Sequence, residues 1–139
     1  MKYLKHLTLA LAIFSVPLLS AGAPTALAQC LSDKKVEVYS AWWCPYCFMQ
    51  RKEIDPSFTD RNMMKDKAEL TKRFPFVREC GGEKIGSLTL NCVPAVENRE
   101  SGTKRVGVPT TQLQNGDLSV GYMDIEGLVT FTGCSAPKK

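Results

Sequence analysis

The apolar positions of this chain fall into one long run and several short ones, and each predicts a different element. Leu7 to Leu19 is almost unbroken, yet shorter than the roughly 20 residues of a comfortable membrane span. Lys35 to Ser40, Lys-Val-Glu-Val-Tyr-Ser, is rich in β-branched and aromatic residues and predicts a strand. A helix is predicted from Cys44-Pro45 to about Asp55, because proline suits a first helical turn, and Pro56 ends it. Residues 57–74 read as an inserted helix, with Met63, Lys67, Leu70 and Phe74 on one face, joined by Met64 and Ala68, and with charges opposite. The lysines between residues 65 and 73 read as its solvated face. Pro75 stops this element and Gly81-Gly82 forms a loop. Ser87 to Asn91 predicts a short strand, and Pro94 to Thr103 a short helix. Thr110–Leu113 and Asp117–Tyr122 predict two strands joined at Asn115-Gly116, a dipeptide that favours a hairpin. Asp124 to Phe131 predicts a closing helix, and 135–139 a disordered tail. This order of elements defines an α/β domain with a mixed sheet of about four strands flanked by helices.

The N-terminus changes the domain count. Lys2 and Lys5 precede the apolar run, no acidic residue occurs before Asp33, and Ala26-Leu27-Ala28 is a small-x-small cleavage site. These features predict a secretory signal peptide over residues 1–28 and one folded domain over 29–134. An uncleaved anchor and a lipoprotein are the alternatives. Lipidation at Cys30 is disfavoured by Gln29, where such signals carry a small residue. The leader holds two lysines and no acid, so the net charge of +4 falls to +2, which gives no strong electrostatic argument for nucleic acid. The single histidine, His6, is in the leader, so no imidazole remains for acid–base chemistry or metal binding. All six cysteines lie beyond the predicted cut. Six thiols in a small exported domain imply an oxidising compartment: a bacterial periplasm, or the medium after secretion.

Two of those cysteines, Cys44 and Cys47, stand two residues apart where a strand gives way to a helix. A thiol at a helix N-terminus has its thiolate stabilised by the helix dipole and free N–H groups. Cys44 is then the exposed nucleophile and Cys47, one turn inside, the resolving thiol. The competing readings are a structural bridge and half of a zinc site. Zinc would want a second closely spaced pair, whereas eleven residues separate Cys80 from Cys92, so no metal or other cofactor is expected.

Ala41-Trp42-Trp43-Cys44-Pro45-Tyr46-Cys47 resembles the active site of the thioredoxin superfamily. The Pro-Tyr dipeptide is similar to that of dithiol glutaredoxins, and Trp43 is more like thioredoxin. Gly107-Val108-Pro109-Thr110 resembles the loop that carries the family's cis-proline, and residues 111–118 its strand–turn–strand. The resemblance covers residues 36–52 and roughly 87–131. It implies a thioredoxin-like fold with a helical insertion after the active-site helix, and a cis Val108–Pro109 bond beside the cysteines. It further implies that Trp43, Pro45, Tyr46, Val108 and Pro109 meet an extended substrate segment. Trp42, Trp43 and Tyr46 are expected to form an apolar rim, with at least one ring exposed. The chain departs from the family in two places. Val38 stands where thioredoxin carries a buried acid, with Glu37 on the opposite strand face. Gly121-Tyr122-Met123-Asp124 is a poor match to the glutathione-binding segment of glutaredoxins, so protein disulfides are the expected substrates.

The remaining cysteines, Cys30, Cys80, Cys92 and Cys134, allow three pairings. Cys80–Cys92, across a Gly-rich loop, and Cys30–Cys134, tying the ends, are favoured as structural bridges over a second redox pair. The expected function is a periplasmic protein-disulfide oxidoreductase that acts as a monomer and is recharged by a membrane redox partner, with the direction of electron flow open. The rival is a disulfide-stapled binding or assembly module of the same fold without redox turnover.

Overall fold

The computed structural model describes residues 24–136; most of the expected signal peptide and the last three residues of the expected tail lie outside them. The four-stranded mixed sheet runs in the order β2-β1-β5-β6. β1 (Glu37–Ser40) lies inside it, parallel to β2 (Val77–Glu79) and antiparallel to β5 (Thr110–Gln112), with Val38 opposite both Val77 and Thr111. β5 pairs antiparallel with β6 (Leu118–Val120). Two parallel strands cannot be joined by a hairpin. The crossover from β1 to β2 is supplied by α2 (Pro45–Ile54), a 3-10 turn (Arg61–Lys65) and α3 (Lys67–Arg73). Between β5 and β6 the chain turns at Asn115-Gly116, where Gly116 has φ +95° and donates its N–H to the Leu113 carbonyl. α4 (Ile125–Thr132) starts at Asp124, whose carboxylate accepts from the Gly127 N–H at 2.8 Å, and ends at the left-handed Gly133.

The core gathers Val36 and Val38 with Leu27, Ala28 and Leu31 of α1 (Ala26–Asp33), Ile54 of α2, Leu128 of α4 and the rings of Phe58, Phe74 and Phe76. Phe58 meets Phe74 edge-on, with centroids 5.2 Å apart. Gln50, buried in α2, locks that helix to the segment before α4 by donating to the Met123 carbonyl and accepting its N–H. Cys30 is bonded to Cys134 and Cys80 to Cys92, the pairing favoured among the three. The first bridge fastens α1 to the residues after α4; the second closes the loop that follows β2.

Three segments fold otherwise than their patterns predict, and a fourth, for which no element is predicted, is helical. Residues 26–33 form α1, so the expected cleavage site after Ala28 lies inside a helix whose Leu27 and Ala28 are buried. Small and apolar residues suit a signal-peptide junction and a buried helix equally well. Residues 57–74 do not form one helix. Asp60 and Asp66 each cap a new N-terminus, and their carboxylates accept from the N–H groups of Asn62 and Glu69. Ser87–Asn91 is not a strand: its contribution is an isolated bridge between Gly81 and Leu88, and Leu90 is exposed. The sheet edge is instead β2, which shares its register with β1. Pro94–Thr103 is not helical. β3 (Val96–Glu97) and β4 (Lys104–Arg105) make a separate two-stranded ribbon, turned where Gly102, at φ +65°, donates to the Asn98 carbonyl. Among the described residues no helix is long and apolar enough to cross a membrane.

Candidate active site

β1 ends at Ser40, and a short turn delivers Cys44 to the N-cap of α2. The Cys44 N–H donates to the Ala41 carbonyl, and Pro45 enters the first helical turn, where its missing N–H costs nothing. A cysteine sulfur therefore occupies the position usually taken by a capping oxygen. The Cys47 N–H points at Cys44 Sγ, 3.3 Å away. Cys44 Sγ in turn lies 3.5 Å from the Val108 carbonyl oxygen. Val108–Pro109 is a cis peptide, placed beside the cysteine pair by the start of β5. Cys44 is not the exposed thiol expected: with the Val108 carbonyl against it, it is buried to 4 %, and Cys47, almost wholly buried, accepts from the Ala41 N–H through its Sγ at 3.4 Å. Both thiols are free.

The two thiols are electrostatically unequal. Cys44 is lowered from an ordinary 9.0 to about 6. The largest cause is hydrogen bonding from the Cys47 thiol; the N–H groups of Cys47 and Tyr46 and the charge of Arg61 add to it, against the opposing effect of burial. Cys47 is pushed up, first by its hydrogen bond to Cys44 and then by burial. One proton is thus shared unevenly, and the outer sulfur becomes the anion.

Around the pair, Trp42 and Trp43 are half-buried and both indole N–H groups are satisfied, by the carbonyls of Gly82 and Ser87. Lys65 stands over the Trp42 ring at 5.4 Å. Of the three aromatic rings expected at the rim, Tyr46 is the exposed one, with Met49 exposed one turn further along α2. Pro45 is exposed, Val108 half-buried and Pro109 buried. The structure thus brings Trp43, Pro45, Tyr46, Val108 and Pro109 around Cys44 and Cys47. The other four cysteines are held in their two disulfides.

Three polar residues that their sequence positions did not single out complete the site. Arg51 follows Cys44 and Cys47 by seven and four residues and so shares their helix face. It is buried, donating from Nη2 to Ser40 Oγ at 3.0 Å and to Glu79 Oε2 at 3.3 Å. Glu79 closes the set, its Oε1 accepting the N–H groups of Trp42 and Gly81. A further cation, Arg61, donates to the Trp43 carbonyl at 3.0 Å. The four-and-seven spacing of Arg51 was readable beforehand; its burial depended on β2, which was not.

No family model, curated protein or solved structure matches this chain.

Proposed function

We propose that this protein is an exported thiol–disulfide oxidoreductase that exchanges disulfides with protein substrates through Cys44 and Cys47. The observation that carries the reading is the asymmetric pair at the start of α2: a thiol at the helix N-cap whose sulfur accepts the Cys47 N–H at 3.3 Å, beside an inner thiol buried against the Ala41 N–H. A structural bridge needs no such asymmetry. The mixed sheet, the helix leaving its inner strand at the cysteines and the cis Val108–Pro109 bond are compatible with a thioredoxin-like fold.

In the reducing direction, the Cys44 thiolate attacks one sulfur of a substrate disulfide. The substrate S–S bond breaks, a Cys44–substrate disulfide forms, and the departing thiolate takes a proton. Cys47 then gives up its proton and attacks Cys44 Sγ, releasing the second substrate thiol. Two electrons pass to the substrate, and the Cys44–Cys47 disulfide remains. Run backwards, the same steps oxidise a substrate dithiol. Tyr46, Trp43 and the Val108 carbonyl form the surface on which an extended substrate segment would lie. The disulfides Cys30–Cys134 and Cys80–Cys92 fit an oxidising compartment, the periplasm or the medium, where a membrane redox partner would restore the pair.

The test is the reduction potential of the Cys44–Cys47 pair in glutathione buffers, together with alkylation of the reduced protein. The expected result is reversible exchange, Cys44 alkylating faster than a free cysteine, and mixed disulfides with exported proteins trapped by Cys47→Ser. If Cys44 alkylates no faster than free cysteine and Cys47→Ser traps nothing, the protein is a stapled binding or assembly module.

A further inference from the structure

The resolving step leaves a physical problem. Cys47 must become a thiolate in a site that burial makes unfavourable for charge, and no buried carboxylate stands on β1 to receive its proton: Val38 occupies that position, and Glu37 bonds Tyr39 and Arg78 on the other face. What the fold places behind Cys47 is a cation.

Arg51 is only 1 % exposed, yet its hydrogen bonding is incomplete. Nη1 meets Met64 Sδ, a weak acceptor, at 2.9 Å, and Nε has no partner among the described residues. Nη2 is divided between Ser40 Oγ and Glu79 Oε2. Glu79 is a diluted counter-ion, since its other oxygen serves two backbone N–H groups and its side chain is a quarter exposed. Arg51 and Glu79 do not form the two parallel bonds of an Arg–carboxylate fork. A guanidinium buried for packing alone would be expected to be better paired, because an uncompensated buried charge is costly. Here positive field is left over, on the helix face that carries both cysteines. Ser40, next to the Ala41 N–H that Cys47 Sγ accepts, takes a hydrogen bond from Arg51 through its hydroxyl, and the same side chain hydrogen-bonds Cys47.

We propose that Arg51 is the positioning residue of the resolving thiol: its under-compensated guanidinium orients the Ser40 hydroxyl and supplies the field in which Cys47 becomes a thiolate. The inference rests on the oxidoreductase reading above. Ser40 and Cys44 act on Cys47 in opposite senses, Ser40 favouring its thiolate and the Cys44 thiolate opposing it. The opposition ends when Cys44 is tied up in a mixed disulfide, which is the moment Cys47 must ionise. Arg51 then acts without a competing anion except Glu79. Lys67, which lines the same cleft as Arg51 and Glu79, is the other charge facing it. The Cys47 proton leaves to water before the attack, and the second substrate thiolate takes one from water when it departs; Arg51 takes none.

The two phases separate cleanly with an excess of a chromogenic aromatic disulfide. Attack by reduced Cys44 releases one aromatic thiol, and resolution by Cys47 releases the second. Arg51→Met is expected to slow the second phase about tenfold or more at neutral pH and to move its pH profile up by about one unit or more, the scale of losing a nearby opposite charge. Arg51→Lys should restore most of the rate. Glu79→Gln, which keeps an acceptor for Trp42 and Gly81 but removes the counter-charge, should act the opposite way and speed the second phase. Ser40→Ala should slow it by less than Arg51→Met, and it reports on the relay should Arg51→Met not fold. An unchanged second phase in Ser40→Ala and Glu79→Gln, or equal slowing in Arg51→Met and Arg51→Lys, overturns the inference. If the unaltered protein releases both aromatic thiols and the variants show these charge effects, but the protein never exchanges with protein disulfides, protein substrates are excluded from the oxidoreductase reading and the role of Arg51 stands.

Discussion

The helix that crosses the expected cleavage site allows a quantitative prediction. A chain starting at Gln29 loses the Leu27 side chain, buried to 1 %, whose transfer from water is worth about 1.5–3 kcal/mol. It loses Thr25, whose hydroxyl accepts from the Ala28 N–H and donates to the Ile54 carbonyl, so one group both caps α1 and ties it to the end of α2. A lost cap costs about 1 kcal/mol. The new α-ammonium sits at the positive end of the α1 dipole, a further cost of roughly 0.3–1 kcal/mol. The sum, about 3–5 kcal/mol, is a large share of the roughly 5–15 kcal/mol that holds a domain together. Thermal unfolding by circular dichroism, with both disulfides intact, should put the midpoint of a chain starting at Gln29 roughly 15 °C or more below that of one starting at Pro24. Leu27→Ala alone should account for about 2–4 kcal/mol of this. Equal midpoints would refute the packing argument. If the proposed export holds, the same reasoning expects cleavage upstream of Thr25, where Ser20-Ala21-Gly22-Ala23 offers further small residues, and N-terminal sequencing that begins at Gln29 would contradict it.

Other tests probe the thiols and the core. Cys44 should alkylate with a pH midpoint near 6, and Cys47→Ala should move that midpoint upward, because the Cys47 thiol is the largest cause of the lowering; an unmoved midpoint contradicts that assignment. Between pH about 6 and 9.0 the reduced native protein holds fewer protons at Cys44 than the unfolded chain, so its stability relative to the oxidised protein should rise with pH and be lost as pH falls through 6; denaturant titrations of both forms read the sign. Phe58→Ala, which leaves a cavity between Phe48 and Phe74, should cost about 3–5 kcal/mol in urea unfolding. Replacing Cys30 and Cys134 by serine opens a loop spanning a sequence separation of 104 and should cost on the order of 4 kcal/mol, and an unchanged midpoint would show the bridge to be idle.

Elements fixed by local chemistry were legible in the sequence. Pro45 started α2, Asn115-Gly116 turned β5 into β6 and Asp124 opened α4; each signal lies within four residues of its effect. What was not legible depends on distant partners. β2 has three residues, and pairing with β1 across the crossover makes it a strand. The turn between the 3-10 segment and α3 did leave a local trace, because Asp66 followed by Glu69 is a capping pattern, but the apolar spacing of Met63, Leu70 and Phe74 ran straight across it. Cys44 and Cys47 stood out because few chemistries need that spacing. Arg51 did not, because a charged helical residue ordinarily faces water, and it is Ser40 and Glu79, brought in by two strands, together with Met64 that make it an interior group.

The bond between Cys30 and Cys134 also governs how the molecule answers a pull. It joins the first described helix to the residues just after the last one. Tension applied to the chain on either side enters at one of these sulfurs and leaves at the other, so the sheet and the cysteine pair between them carry almost no load. A motor or pore that grips a terminus cannot draw this protein out as a single thread. It must break the bond first or accept a doubled loop, so the mechanical endurance of the fold is set by the redox state of a bridge separate from the Cys44–Cys47 pair.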